Sequence, residues 1–290
     1  MRTGIVVLPQ QRWSEAARTW RRTEELGFAH AWTYDHLSWR SLRDQPWFAT
    51  VPTLVAAATV TSTIRLGTWV ASPNFRHPVP FAKELMSLDD ISGGRFVLGV
   101  GSGGAGADAT VLGDPPLPQA RRTARFEEFV GLLDRLLTQR STTWRGEFYA
   151  ADDARMLPGG PSVPRLPFVV AANGPRGMRL AARYGQGWAT TGPAGGGDVE
   201  DWWTGVERAH RTFTEVLESQ GRHPDEVDRY LSVDAGAYAL TSLDAFLRAH
   251  ERARSVGFTD LVTHWPRADG VYAGDERVLE AVAARLPGLG

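Results

Sequence analysis

An aspartate and a histidine, Asp35 and His36, stand directly after the short apolar run at residues 29–34. A neutral imidazole at this point could exchange a proton with a substrate or hydrogen-bond the edge of a bound ring. The neighbouring carboxylate could fix the tautomer of that imidazole. A helix cap beside a surface histidine would give the same residues, so the meaning of the pair depends on where the fold places it.

A glycine-rich turn at residues 99–104, which includes Ser102 and Gly103, has the composition of a ligand-binding loop. It has neither the GKS/T sequence of a phosphate loop nor the GxGxxG sequence of a dinucleotide-binding turn. Its glycines would let the backbone approach a flat ring closely. A flexible connection from strand to helix explains the same composition.

A second turn, at residues 173–177, opens a predicted helix with the sequence Asn-Gly-Pro-Arg-Gly. The exposed N–H groups at the start of a helix, with Arg176 beside them, suit an anion. Capping of the helix by the Asn173 side chain is the simpler alternative.

These residues follow strands in a regular alternation of apolar runs and helix-like segments. The runs, eight in number, cover residues 5–8, 29–34, 64–70, 96–100, 168–171, 188–191, 231–237 and 261–264. The helix-like segments begin near Ser14, Pro52, Pro80, Gln119, Pro175, Val199, Ser242 and Asp275, and Ser14 is a candidate cap. Strands that alternate with helices form a parallel sheet, and this number of units in 290 residues predicts a (β/α)8 TIM barrel. Active sites of such barrels lie where the strands end.

Two stretches interrupt the alternation. Residues 101–118 form a glycine- and proline-rich loop after the fourth strand, and residues 143–149 are predicted to form a small hairpin before the fifth. We expect both to be extra segments of one barrel, so that residues 1–290 form a single domain. In the third helix, Phe81, Leu85, Leu88 and Ile91 recur at helical spacing and predict one buried face.

The amino-acid composition argues against several classes of binding partner for this protein. The formal net charge is −1, which gives no indication of nucleic acid or a membrane surface as a partner, and no apolar run is long enough to span a bilayer. The absence of cysteine excludes disulfides, thiolate metal ligands and a cysteine nucleophile. No cluster of histidine and carboxylates has metal-ligand spacing, so no metal site is predicted. We expect a cytoplasmic protein that acts on a small molecule.

Three further residues lie near strand ends, namely His77, His264 and Trp265. We expect them to be mostly structural, with His264 paired to a carboxylate.

Four motifs, taken in order along the chain, resemble the family of bacterial luciferase-like, flavin- or deazaflavin-dependent oxidoreductases. They are AWTYDH at residues 31–36, RLGTWVASPNFRHP at residues 65–78, LDDISGGRFVLGVGSG at residues 88–103, and AANGP at residues 171–175 followed by YGQGW at residues 184–188. Together they extend over most of the chain, and the third is the strongest match.

The resemblance implies a set of site residues. Asp35 and His36 would line the cofactor and the reaction centre, and a bulge with a cis peptide bond between Trp69 and Val70 would press against the middle ring. The other residues expected to bind the cofactor are Ser102, Gly103, Ala171, Ala172, Asn173, Gly174, Pro175, Thr190 and Thr191, the last two on the phosphate side. Some relatives carry a carboxylate for sugar-phosphate oxidation where this chain has Gly104, which disfavours that substrate.

The resemblance most favours coenzyme F420, with hydride transfer to or from a small organic substrate. A monooxygenase that uses reduced FMN and a partner flavin reductase is the alternative, and a non-catalytic flavin-binding relative is a third possibility. Arg40, Arg43, Arg76 and Arg176 are candidates to bind the acidic tail of F420 at the barrel rim. Relatives are commonly dimers, and the tryptophan-rich segments around Trp47 and Trp202-Trp203 are candidates for a homodimer contact.

Overall fold

A computed structural model describes residues 1–193 and 197–289 of the chain. Eight parallel strands close into a barrel, which confirms the predicted (β/α)8 TIM barrel. In order around the barrel they are β1 (Arg2–Val6), β2 (His30–Thr33), β3 (Arg65–Thr68), β4 (Phe96–Gly101), β7 (Phe168–Ala171), β8 (Gly187–Thr190), β9 (Asp228–Ser232) and β10 (Asp260–His264), which pairs with β1. The ninth strand is shorter than the apolar run at 231–237, because a 3-10 turn at Val233–Ala235 follows Ser232 directly.

Helices surround the barrel between successive strands. They are α1 (Trp13–Glu25), α2 (Thr50–Val60), α3 (Pro78–Ile91), α4 (Gln119–Thr138), α5 (Pro175–Tyr184), α6 (Val199–Ser219), α7 (Leu243–Val256) and α8 (Glu276–Ala283). Prolines begin α3 and α5, where a missing N–H costs no intrahelical bond. The predicted cap at Ser14 is wrong, because α1 already begins at Trp13 and its N-cap Arg12 makes no side-chain cap.

The space between sheet and helices holds the main apolar core. On α3, Phe81, Leu85 and Leu88 are buried as predicted, each worth about 1.5–3 kcal/mol of transfer free energy. Ile91 is 46% exposed, so the prediction for this residue is wrong; it is the last residue of the helix and lies beyond the packed face.

Aromatic side chains fill the inside of the barrel below its mouth. Trp32, Trp69 and Tyr230 pack there, with the rings of Trp32 and Trp69 4.9 Å apart. Below them, His30 contacts Gly4 so closely that a Cβ at position 4 would lie 1.8 Å from the imidazole. A ligand therefore enters this barrel from the carboxyl ends of the strands.

Both predicted insertions are present. The loop after β4 contains a 3-10 turn at Ala107–Ala109, and an antiparallel hairpin of β5 (Ser141–Arg145) and β6 (Ala150–Arg155) precedes β7. Glu128 of α4 holds the hairpin by accepting backbone N–H groups, including those of Phe148 and Tyr149.

Within residues 1–193 and 197–289, no helix combines the length and the apolar character that crossing a bilayer requires. The same described residues contain no group of three or more histidine, cysteine or carboxylate side chains placed to hold a metal ion.

Candidate active site

A cleft of about 1650 Å³ opens at the carboxyl ends of the barrel strands. The predicted site residues that line it are His36, Trp69, Val70, Ser102, Gly103, Ala171, Ala172, Asn173, Gly174, Pro175, Thr190 and Thr191. They lie at or directly after the ends of β2, β3, β4, β7 and β8, which meet at one face because the strands are parallel. Asp35 is buried and does not line the cleft.

His36 is held by a carboxylate that the sequence analysis did not identify. Its Nδ1 hydrogen-bonds Asp108, which lies in the loop after β4 and also accepts the N–H groups of Leu37 at 2.8 Å and Ser38 at 3.0 Å. A carboxylate only accepts hydrogen bonds, so Nδ1 carries the proton and Nε2 is the nitrogen able to accept one. The imidazole is 26% exposed toward the cleft, whereas the carboxylate is 7% exposed. This arrangement suits proton exchange or a hydrogen bond to a ligand.

Asp35 does not orient His36, so the predicted pairing of these neighbours is wrong. Consecutive side chains after a strand point in opposite directions, and Asp35 points away from the cleft. Its two carboxylate oxygens accept bonds from Arg76 at 2.6 and 2.7 Å, an ion pair almost hidden from solvent. Burial alone would lower the pKa of Arg76, but the hydrogen bonds and charges of Asp35 and Glu84 together outweigh it and raise that pKa. The pair ties the loop after β3 to the end of β2.

The peptide bond between Trp69 and Val70, directly after β3, is cis, as the resemblance implied. The Trp69 ring packs into the barrel, while Val70 contributes to the cleft wall. Gly101 lies so close to Val70 that a Cβ at position 101 would approach the valine side chain to 2.8 Å. Val70, Gly101, Ala171 and Ala172 all line the cleft. Their side chains are small, so this wall of the cleft leaves room for a flat ring.

The start of α5 forms another side of the cleft. Its N-cap is Gly174, and the first N–H groups of a helix have no acceptor within the helix. Asn173 does not cap the helix, which excludes the simpler alternative. Its side chain instead accepts from Thr190 at 2.7 Å and donates to Thr191 at 2.9 Å. These bonds fix the ends of β7 and β8 relative to each other.

Two of the arginines predicted to bind an acidic tail have other partners. Arg76 pairs with Asp35 and with Glu84, and Arg176 makes two hydrogen bonds to Glu127 at 2.7 and 2.6 Å. Arg40 remains at the cleft, with its guanidinium 5.3 Å from the centre of the Trp39 ring. The helix start therefore depends on its N–H groups more than on Arg176 to attract an anion.

Two histidines that were expected to be mostly structural have defined partners. His77 accepts the N–H of Val79 and caps α3. His264 is paired with the carboxylate of Asp234, as predicted.

Residues 1–254 match the family model described as luciferase-like monooxygenase, and the chain belongs to this family. It is 31% identical to an F420-dependent glucose-6-phosphate dehydrogenase of Beutenbergia cavernae, over 91% of this chain and 90% of that protein. It is 34% identical to 4-hydroxyprotoasukamycin monooxygenase of Streptomyces nodosus subsp. asukaensis, over 71% of this chain and 53% of that protein. The fold is similar to that of an F420-dependent secondary alcohol dehydrogenase solved with an F420-acetone adduct, with a TM-score of 0.83, 18% identity, and coverage of 100% and 99% of the two chains.

Proposed function

We propose that this protein is an oxidoreductase that transfers a hydride between coenzyme F420 and a small organic substrate. The observation that carries the proposal is the similarity to an F420-dependent dehydrogenase over nine-tenths of both chains, 91% and 90%. The monooxygenase relative is matched over 53% of its length, which leaves reduced FMN with a partner flavin reductase as the alternative.

The residues present fit this cofactor. The small side chains beside Val70 leave space for the ring system, and the N–H groups at the start of α5 suit its phosphate. A Cβ at Gly174 would meet no atom within 4 Å, so the space beside this backbone position is open. A bound 5-deazaflavin supplies a carbon that carries a hydride as a two-electron donor or acceptor.

His36 and Asp108 provide one contribution of the protein to the reaction. The bond from Nδ1 to Asp108 leaves Nε2 as the acceptor nitrogen of an imidazole that lines the cleft, where it can move a proton or stabilise developing charge. The barrel interior below is filled by Trp69 and its neighbours, which keeps water away from the base of the cleft.

The charges of the cleft favour an uncharged substrate. Four aspartates line it, namely Asp108, Asp198, Asp201 and Asp234. Among the described lining residues, the cationic side chains are Arg40 and Arg176, and Arg176 is already bonded to Glu127. With Gly104 in place of a carboxylate, these features disfavour a sugar phosphate.

Introduction of a negative charge at the phosphate end should weaken cofactor binding. Gly174→Asp should raise the Kd for F420 by more than about tenfold, because bulk and charge enter the anion position. The melting temperature of the ligand-free protein should change little, since position 174 is open and its φ is −122°. Gly174→Ala is the matched control for bulk without charge. A collapse of the melting temperature, or intact binding by Gly174→Asp, would contradict this assignment.

The oxygen requirement tests the reaction class. We expect F420 to be reduced by secondary alcohols, or its reduced form to be oxidised by ketones, in the absence of oxygen. An oxygen electrode should record no uptake when the same mixtures are aerated. Conversion that requires reduced FMN and consumes oxygen would instead establish the monooxygenase.

We also propose a cytoplasmic homodimer in which residues 1–290 form one domain, with no nucleic-acid partner. The formal net charge of −1 and the absence of cysteine are consistent with this proposal. Of the two segments predicted for the contact, the one at Trp202 and Trp203 is wrong, because these side chains are 8% and 5% exposed and pack inside the subunit. Exposed Phe48, beside Trp47, is the better candidate for apolar contact, and light scattering measures the oligomeric state.

A further inference from the structure

A second histidine–carboxylate pair lies at the ends of β9 and β10. The Nδ1 of His264 is 2.8 Å from the carboxylate of Asp234, and their side chains are 2% and 0% exposed. Asp234 also accepts the hydroxyl of Thr263 at 2.9 Å and the backbone N–H of His264 at 2.8 Å. The Asp234 carboxylate is thus buried, and its hydrogen-bond donors hold it beside the imidazole.

Two tyrosines connect this pair to the cleft. The Tyr34 hydroxyl oxygen is 2.8 Å from His264 Nε2 and 3.1 Å from the Tyr272 hydroxyl oxygen, and both tyrosines line the cleft. Because Asp234 only accepts, Nδ1 donates to it and Nε2 accepts from Tyr34. The Tyr34 oxygen then accepts from Tyr272. The three hydrogen bonds, from Tyr272 to Tyr34, from Tyr34 to His264 and from His264 to Asp234, therefore form a series with a single direction. The Tyr272 oxygen at its outer end can accept a hydrogen bond from a ligand.

Burial keeps both phenols protonated. It raises the pKa of Tyr34 well above its usual range, with Tyr272 contributing, and it also raises the pKa of Tyr272. The Tyr272 ring stacks on the His264 imidazole with centroids 3.7 Å apart and planes at 6°, which holds the series in register. A buried phenol that stays protonated can pass a proton to its neighbour but does not hold a charge. His264 can hold the positive charge of an added proton, because the Asp234 carboxylate lies beside it.

We propose that Tyr272, Tyr34 and His264 form a proton relay for a substrate oxygen in the cleft, with Asp234 as a positioning residue. The substrate class is then an alcohol or the corresponding ketone. This inference rests on the proposed function, which supplies the hydride acceptor.

The step balances for alcohol oxidation. The substrate O–H bond breaks and its proton goes to the Tyr272 oxygen, the Tyr272 proton goes to the Tyr34 oxygen, and the Tyr34 proton goes to His264 Nε2. The carbinol carbon gives up its hydride to oxidised F420, and the C–O bond becomes C=O. His264 is left as an imidazolium against the Asp234 carboxylate, and ketone reduction runs in reverse. His36, whose ring centroid lies 5.6 Å from that of Tyr34, then stabilises charge beside the relay.

The test uses Tyr34→Phe and Tyr272→Phe, with Tyr238→Phe as the matched control. Tyr238 packs against Tyr272, but its hydroxyl donates to the backbone oxygen of His264 at 3.1 Å and takes no part in the relay. Single-turnover reduction of F420 is followed by absorbance with 2-propanol, cyclohexanol and 1-phenylethanol, in H2O and in D2O. Nitrogen NMR of the ligand-free proteins reports the tautomer and hydrogen bonding of His264.

The relay predicts that both relay variants lose about 10²–10³-fold in rate and lose the solvent isotope effect, with the Kd for F420 unchanged. Tyr238→Phe should behave as the wild type. In the NMR spectra, Nε2 should be an unprotonated acceptor whose shift moves in Tyr34→Phe and Tyr272→Phe.

Wild-type rates in Tyr34→Phe, or a protonated Nε2 in the wild type, would overturn the relay. Binding of F420 without its reduction by any of these alcohols would also overturn the relay. If the wild-type protein binds no F420, the proposed function fails instead. The NMR result then decides the relay by itself: an acceptor Nε2 coupled to both tyrosines supports it, and any other state overturns it.

Discussion

Replacement of His36 with alanine should lower kcat by about 10²–10⁴-fold, the largest kinetic effect that we expect from a single substitution. The imidazole is the more exposed member of the His36–Asp108 pair, 26% against 7%, and both residues line the cleft. Its removal eliminates the stabilisation of developing charge at that point. Steady-state and single-turnover kinetics with F420 measure the loss.

Asp108→Asn is the companion variant, because it keeps the side-chain shape but removes the charge that selects the His36 tautomer. We expect it to lower kcat less than His36→Ala does. A change confined to KM in His36→Ala would show that the imidazole only positions a ligand. Unchanged kinetics would remove His36 from the site.

Replacement of Asp35 with alanine should cost stability, with an expected loss of about 3–5 kcal/mol in the free energy of unfolding. The change leaves the guanidinium of Arg76, whose side chain is 13% exposed, without its bidentate partner. Denaturant unfolding of the ligand-free protein measures the loss.

The double variant Asp35→Leu/Arg76→Met is the control for this prediction. Removal of both charges should recover much of the stability, since an apolar pair of similar volume replaces a buried ion pair at little cost. If Asp35→Ala instead kept its stability and lost kcat, Asp35 would belong to the chemistry and the structural assignment would be wrong.

The barrel could be predicted from sequence because its strands are largely buried apolar runs and alternate with helix-like segments, of which α3 buries Phe81, Leu85 and Leu88 at helical spacing. The same apolar patterns do not predict where a strand or helix ends. Residues 231–237 form one apolar run, yet the strand stops at Ser232 because the chain turns there. Trp202 and Trp203 resembled a surface patch, but helix geometry directs both into the core.

The site was predictable where it lies on strand ends and unpredictable where it depends on loops. His36, Val70 and Gly174 follow strands, so the barrel places them on one face. Asp108 is separated from His36 by 72 residues, and only the fold of the loop after β4 brings the two side chains together. Adjacency in sequence favoured Asp35 as the partner, although neighbouring side chains point in opposite directions.

The Tyr34–His264 contact was missed for the same reason. The two residues are 230 positions apart and meet because β1, which lies between β2 and β10, closes the barrel. Pairing of His264 with a carboxylate was expected, but the identity of Asp234 depends on the turn after β9.

Equilibrium binding distinguishes a cleft built for F420 from a cleft built for FMN. Purified protein is titrated with F420 and, separately, with FMN, and the quenching of cofactor fluorescence gives both dissociation constants under the same conditions. We predict a Kd for F420 of about 1 μM or lower, corresponding to about −8 kcal/mol, and clearly weaker binding of FMN. Binding of FMN as tight as or tighter than that of F420 would contradict the account.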